Sequence, residues 1–374
     1  MRKLGLYIHI PFCKSRCKYC DFCSFPHPTR EKMDKYVSAL IKEINEKKEE
    51  YSSFLVDTVY FGGGTPTLLP ISLWGEIINA VKSSFNVITG AEISAECNPA
   101  TADEEYLKKL FSLGINRLSI GAQSTDDKEL LALGRLHKHN DTEATVKAAF
   151  KVGFTNVSVD VMYGIPNGTK ESLDKTIKEL CSLGVTHISL YGLKIEEGTY
   201  FHKHRNELSL PDEDTEYEMY IESTNLLKSF GFSKYEISNF AKNEHYSRHN
   251  LKYWLREDYL GLGLSAHSCI GSKRFFNTSD MDEYLSGKAL KAIEEVSPHD
   301  VLCETIMLKM RLTEGCDFNA LEKEFGADVI THRNSLLKFV ETGHVKEKDG
   351  ILSFSDNGMY ISNYILSETL DFFS

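Results

Sequence analysis

The chain has no run of about 18 consecutive apolar residues. Its opening, KLGLYIHIPF, lacks the basic segment, long apolar stretch and small-residue cleavage site of a secretory leader. Both absences lead to the expectation of a soluble, cytoplasmic protein. An excess of positive charge is also missing: 43 Lys and Arg stand against 54 Asp and Glu, a net charge of −11. Without a cationic field nothing gathers a phosphate backbone or an anionic lipid surface, so nucleic acid is not an expected partner and any contact with a membrane would be peripheral. Internal repeats and low-complexity tracts are absent as well.

An even set of cysteines is the last thing lacking. Nine, an odd number, in 374 residues without a leader argue against a disulfide framework and for metal or redox work by those that cluster. Four do cluster, in HIPFCKSRCKYCDFCSF: Cys13, Cys17, Cys20 and Cys23. The other five, Cys97, Cys181, Cys269, Cys303 and Cys316, are scattered and read as small buried hydrophobes.

With 41% hydrophobic residues the chain has ample material for a core. Strand-like runs recur at LGLYIHI, DTVYFGG, AEISAEC, NRLSIGA, NVSVDVMYG and THISLYGL, and helical patterns lie between them, several ending in glycine. Six strands alternating with helices predict an α/β fold, a parallel sheet with helices outside that forms either a barrel or an open part of one, with its ligands at the C-terminal strand ends. The polar and glycine-rich oddities collect there: the cysteines after the first strand, GGGTPT after the second, Glu96 and Asn98 after the third, Gln123, Asp160 and Tyr191 after the next three. The expected boundaries are a core domain over 1–235, a connecting segment over 236–295, and a small winged-helix-like α+β domain over 296–374, whose hairpin turns at KDG. That last domain is acidic, 7 Lys and Arg against 13 Asp and Glu over 297–374, which is hostile to DNA.

A structural zinc site would want a second cysteine pair, and none follows downstream. CxxxCxxC places three soft thiolates on one short loop, which suits three irons of a [4Fe-4S] cube and leaves the fourth iron open to a small molecule. Cys23 keeps the alternative of a fully ligated cube on paper; it is read as a non-ligand.

On YIHIPFCKSRCKYCDF, FGGGTPT, ECNP, NRLSIGAQS, LGRLH and DVMYGIP, the chain resembles radical S-adenosylmethionine (SAM) proteins of the oxygen-independent coproporphyrinogen III oxidase family along nearly its whole length. The resemblance implies a radical SAM core domain, a partial (β/α)6 TIM-like barrel, with Cys13, Cys17 and Cys20 as cluster ligands. It also implies SAM chelated to the open iron and cleaved reductively to methionine and a 5′-deoxyadenosyl radical. Carried over position by position, it implies SAM contacts at Tyr7, Gly63, Gly64, Thr65, Glu96, Gln123, Arg135 and Asp160, with Tyr19 close to the cluster.

Two features point within the family to its heme-chaperone branch. The oxidases carry a long N-terminal extension and a CxxxCxxCxC pattern, whereas Tyr7 lies six residues from the start here and Phe22 stands at the fourth cysteine's place. RHNLKYW also supplies the branch's HNxxYW pattern: His249, Asn250, Tyr253 and Trp254. This implies heme or another tetrapyrrole as ligand, with His249 as candidate axial ligand beside two aromatics; His9 and His267 are its rivals. The partners implied are an apo-hemoprotein acceptor such as a respiratory enzyme, reached by peripheral contact where that enzyme is membrane-bound, and an electron donor such as flavodoxin or ferredoxin. Oxidative decarboxylation of coproporphyrinogen III, or radical methylation of a related tetrapyrrole, is the enzymatic alternative.

Overall fold

The computed structural model describes residues 2–370. Met1 and the last four residues, part of the expected C-terminal domain, lie outside that range. Six strands run parallel and side by side: β1 (Lys3–Ile10), β2 (Leu55–Gly63), β3 (Asn86–Cys97), β4 (Arg117–Gln123), β5 (Asn156–Tyr163) and β6 (His187–Gly192). Each of the first five is followed by a helix: α1 (Arg30–Glu46), α2 (Ile71–Ser84), α3 (Glu104–Leu113), α4 (His139–Val152) and α5 (Lys170–Ser182). The segment between β6 and the C-terminal domain adds α6 (Glu213–Ser229) and α7 (Arg248–Trp254).

Strand parity divides the sheet into two unlike faces. On the outer face Leu4, Leu6, Ile8 and Ile10 of β1, Val59 and Phe61 of β2, and Val157, Val159 and Val161 of β5 are all buried under helices. Each such side chain contributes about 1.5–3 kcal/mol on leaving water. The helices answer in kind. Thr29 caps α1 by accepting the Lys32 amide, and Met33, Tyr36, Val37, Leu40 and Ile44 form its buried stripe; Trp74 of α2 packs on Phe61 at 4.7 Å. α3 and α4 end at Gly114 and Gly153, whose φ of 102° and 117° need a residue without Cβ.

The inner face is polar, and its residues bond to one another across strands: Tyr60 with Glu96, Ser119 with Asp160, Ser158 with His187. An apolar outside and a polar inside are what a barrel wall around a ligand space requires.

The stretch between the two expected domains is built into this sheet. β7 (Ser233–Lys234) and β8 (Asn239–Ala241) join antiparallel beyond β6. β9 (Tyr259–Leu262) pairs parallel with β1, and β10 (His267–Ile270), β11 (Lys273–Asn277) and β12 (Leu290–Glu295) extend that edge antiparallel. Among the described residues the end strands do not pair with each other, so the twelve-stranded wall is an open arc.

The C-terminal domain runs α8 (Pro298–Lys309), a short β13 (Cys316–Asp317), α9 (Phe318–Phe325), α10 (Asp328–Leu337), then the hairpin β14 (Val345–Lys348) and β15 (Ile351–Phe354), and α11 (Ser362–Thr369). Its hairpin turns at Asp349 and Gly350, both at positive φ, as a tight two-residue turn demands. Tyr220 of α6 enters this domain's own apolar cluster, and Glu304 of α8 pairs with Arg256 and Arg274 of the main sheet's edge region.

Candidate functional site

A cavity of about 500 Å³ opens at the C-terminal ends of β1 to β6, and Cys13, Cys17 and Cys20 all line it. The loop that carries them is tied down at several points. Phe12–Cys13 and Phe25–Pro26 pair as short parallel strands, the Thr65 amide donates to the Phe12 carbonyl at 2.7 Å, and Lys18 is held between Leu133 and Phe201 through its amide and carbonyl. The Thr65 hydroxyl lies 3.7 Å from Cys13 Sγ and Arg135 Nη1 3.6 Å from Cys17 Sγ. Burial raises the thiol of Cys13 and pushes that of Cys20 up to about 11. A metal group that binds Cys13 and Cys20 must displace those protons.

Cys23 goes elsewhere. Its Sγ lies 3.9 Å from the Ser279 carbonyl, and it does not line the cavity. The backbone is pinned, because His9 Nε2 is 2.8 Å from the Cys23 carbonyl while His9 Nδ1 meets the Tyr7 hydroxyl at 3.0 Å. Burial lowers the His9 pKa, so the ring is a neutral brace under the loop.

Of the expected SAM contacts, Tyr19, Gly63, Gly64, Thr65, Glu96, Gln123, Arg135 and Asp160 line the same cavity. Tyr7 does not. It lies one layer deeper, stacked on Tyr60 with its hydroxyl on His9. The glycine turn is a steric necessity. A Cβ on Gly63, at φ +113°, would fall within 3 Å of three atoms of the His9 ring, and one on Gly64 would meet the Phe12 carbonyl oxygen at 2.7 Å. Bare backbone is therefore presented to the cavity.

Among the carboxyl groups that line that space, Glu96 and Asp160 are raised above the usual carboxylate range. Glu96 accepts from the Tyr60 hydroxyl at 3.0 Å and from the Gly63 amide at 3.1 Å; burial, and then neighbouring Asp160, pushes it up to about 7. Asp160 accepts from Ser119 at 3.1 Å, and burial raises it to about 6. Arg135 donates to the Gly121 carbonyl at 2.7 Å and keeps its Nε buried with no partner, while Tyr191 donates to Gln123 at 2.7 Å. Such a donor set fits the group the motifs imply: three soft sulfurs for iron, open backbone for an amino acid end, and acids beside it for an ammonium or sulfonium.

Sequence reasoning missed Arg117, 2% exposed in β4, a buried counter-charge that lowers both Glu96 and Asp160. An arginine alternating with apolar residues in NRLSIGA was its signal. Phe22 and Leu136, large and exposed at the cavity rim, were also missed as site residues.

The structure places His249 away from the cavity. It is fully buried, does not line the cavity, and has both ring nitrogens engaged: Nδ1 with Thr58 at 2.9 Å and Nε2 with Tyr253 at 2.9 Å. Glu92 accepts from the backbone amides of Arg248 and His249 and so fixes the start of α7 inside the wall. Burial lowers the imidazole to about 3, which keeps it neutral, and it stacks on Tyr60 at 5.3 Å. No nitrogen remains for iron. Trp254, the motif's last residue, sits under Arg311 of the C-terminal domain. The rival His267 is exposed and stacked on Phe276 at the sheet's far edge. His249→Ala is therefore expected to lower stability by about 2–4 kcal/mol, through a void and two abandoned hydroxyls. Urea unfolding reads this loss, and heme titration of the folded variant should match the parent; weakened heme binding at unchanged stability would contradict the assignment.

Residues 7–180 match the Radical SAM superfamily and residues 296–361 the HemN C-terminal domain. Heme chaperone HemW of Bacillus subtilis is 32% identical over 375 residues, covering 97% of this chain and 98% of that protein. Heme chaperone HemW of Synechocystis is 36% identical over 323 residues, covering 83% and 78%. In structure, the coproporphyrinogen III oxidase HemN of Escherichia coli superposes with a TM-score of 0.86 at 24% identity, covering 98% of this chain and 89% of that one, a likeness of fold. Among the described residues no helix is long and apolar enough to cross a membrane. The chain belongs to the radical SAM superfamily and, within it, to the HemW-type heme-chaperone branch of the oxygen-independent coproporphyrinogen III oxidase family.

Proposed function

We propose that the protein is a SAM- and [4Fe-4S]-binding heme chaperone that takes up heme and passes it to apo-hemoproteins. The observation that carries this reading is the end-to-end match to relatives named heme chaperones, at 32% identity over 97% of the chain. Cys13, Cys17 and Cys20 would hold the cluster; the backbone at Gly63 and Gly64, with Thr65, Glu96, Gln123, Arg135 and Asp160, would hold SAM. A reduced cluster of this type supplies an electron to bound SAM. Everything else in the site positions and shields: Arg135 bridges Cys17 and the Gly121 carbonyl, and Tyr19 closes the wall beside Cys20.

For the tetrapyrrole the cavity mouth is the better seat than His249. Phe22 and Leu136 offer apolar surface to a macrocycle, and exposed Lys194 stands at the same mouth to meet a propionate. In a chain of net charge −11, Lys14, Arg16 and Lys18 cluster on the cysteine loop, a local positive patch suited to an acidic electron carrier such as flavodoxin or ferredoxin.

The test is an anaerobic heme titration followed by transfer to an apo-cytochrome, with coproporphyrinogen offered in parallel. Stable heme binding and transfer are expected; conversion of coproporphyrinogen to protoporphyrinogen would overturn the chaperone reading.

The two raised carboxyls give a pH dependence. Below about 7 Glu96 is protonated in the free protein, and below about 6 so is Asp160. A cationic ligand favours their ionised forms, so binding expels protons there. SAM affinity is expected to rise with pH, by up to about tenfold per unit for each proton released, and to level off above about 7. Equilibrium binding between these limits checks the slope, and Glu96→Gln should flatten it.

A further inference from the structure

The C-terminal domain gathers a second set of metal-type ligands that the cluster site does not use. His299, in the first turn of α8, and Cys303, one turn later, share a face of that helix, and His332 of α10 meets them there. Cys303 Sγ lies 3.6 Å from His299 Nε2 and 3.8 Å from His332 Nε2, and the three donor atoms all lie within 4.8 Å of one another. With Zn–S of about 2.3 Å and Zn–N of about 2.0–2.1 Å, a tetrahedral ion holds sulfur and nitrogen about 3.6 Å apart. The two observed sulfur–nitrogen separations need shifts of only a few tenths of an ångström.

The surroundings also suit a site. His332 Nδ1 lies 3.1 Å from the Thr369 carbonyl at the end of α11. That acceptor places the ring proton on Nδ1 and leaves the Nε2 lone pair facing the sulfur, the orientation an outer-shell carbonyl imposes on ligating histidines. Cys303 is fully buried, His332 is 4% exposed, and His299 is half-buried, so the pocket is sheltered with one side towards solvent. One thiolate and two imidazoles select zinc-class ions over magnesium or calcium.

We propose that His299, Cys303 and His332 form a binding site for a divalent transition-metal ion of the zinc class, with water in the fourth position. Binding exchanges the Cys303 thiol proton for the metal–sulfur bond and involves no electron transfer. The ion ties α8 to α10, and through Thr369 to α11. Glu304, next to Cys303, holds Arg256 at 3.0 Å and Arg274 at 2.6 Å, so the ion also steadies the helix face that joins the C-terminal domain to the main sheet. This inference does not depend on the chaperone reading.

The test uses full-length protein with its cluster reconstituted and loosely held metal removed, titrated with Co²⁺ and then Zn²⁺. One Co²⁺ per chain is expected, with the ligand-field bands of a tetrahedral ion and sulfur-to-cobalt charge transfer, displaced by one Zn²⁺. His299→Gln, His332→Gln and Cys303→Ser should each weaken zinc binding by at least the roughly 10–100-fold that loss of an outer-shell partner costs, with iron content unchanged. His299→Gln alters the half-buried member, and its metal-free unfolding midpoint should equal the parent's, which separates lost ligation from lost folding. Cys13→Ala should leave the cobalt signal intact. Equal zinc affinity in parent and all three variants, or a cobalt signal that disappears with Cys13→Ala, would overturn the proposal.

Discussion

Alanine at Cys13, Cys17 or Cys20 is expected to take the anaerobically reconstituted protein from about four iron atoms per chain to nearly none, with loss of the broad visible absorbance of a thiolate-bound cluster. Each of these thiols lines one cavity on one loop, and two remaining sulfurs cannot hold a cube. Cys23 cannot step in. Its carbonyl is braced by His9, its neighbour Phe25 is paired to Pro11, and its sulfur lies against Ser279. Cys23→Ala should accordingly retain full iron. A Cys23→Ala protein that bleaches, beside a Cys13, Cys17 or Cys20 variant that does not, would show that the ligand set is misassigned.

The second large effect is expected at Gly63. Alanine there must hold a φ of +113° and put a methyl group into the His9 ring. That ring cannot retreat without releasing the Tyr7 hydroxyl or the Cys23 carbonyl. Strain of this kind costs about 1–3 kcal/mol, and the cradle must shift to relieve it. SAM affinity should fall by about 10–100-fold, which corresponds to about 1.4–2.8 kcal/mol, while iron content stays at the parent level. Gly90→Ala is the control, since its φ is also positive but nothing lies within 4 Å; it should bind SAM normally. Parental SAM affinity in Gly63→Ala would contradict the cradle.

Much of this architecture is local in origin and was legible for that reason. The six parallel strands carry their own alternation, the helices their own stripes and glycine ends, and the cysteine and glycine motifs fall directly after strands. What could not be read depends on partners remote in the chain. The motif spacing of His249 and Tyr253 puts them on one helical face, but only Glu92 and Thr58, both in distant strands, decide that this face is interior. β12, LKAIEE, is exposed at every position and is a strand solely because β11 offers it a backbone edge. Reading Cys303 as a small buried residue gave its burial; the two imidazoles around it come from positions 299 and 332 and meet only once α8 and α10 pack.

Tyr7 shows the same limit in miniature. It belongs to the strand and parity that reach the site, yet the side chain spends its hydroxyl on His9 and serves the cavity at one remove, through the ring that excludes any Cβ at Gly63.

The most direct test of the account is electron paramagnetic resonance of the reduced protein, purified without oxygen, before and after addition of SAM. A cluster held by three sulfurs leaves one iron for the cofactor, so the spectrum should change on addition and the change should saturate at one SAM per cluster. A spectrum indifferent to SAM, or a protein that carries zinc at Cys13, Cys17 and Cys20 and gives no cluster signal, would contradict it.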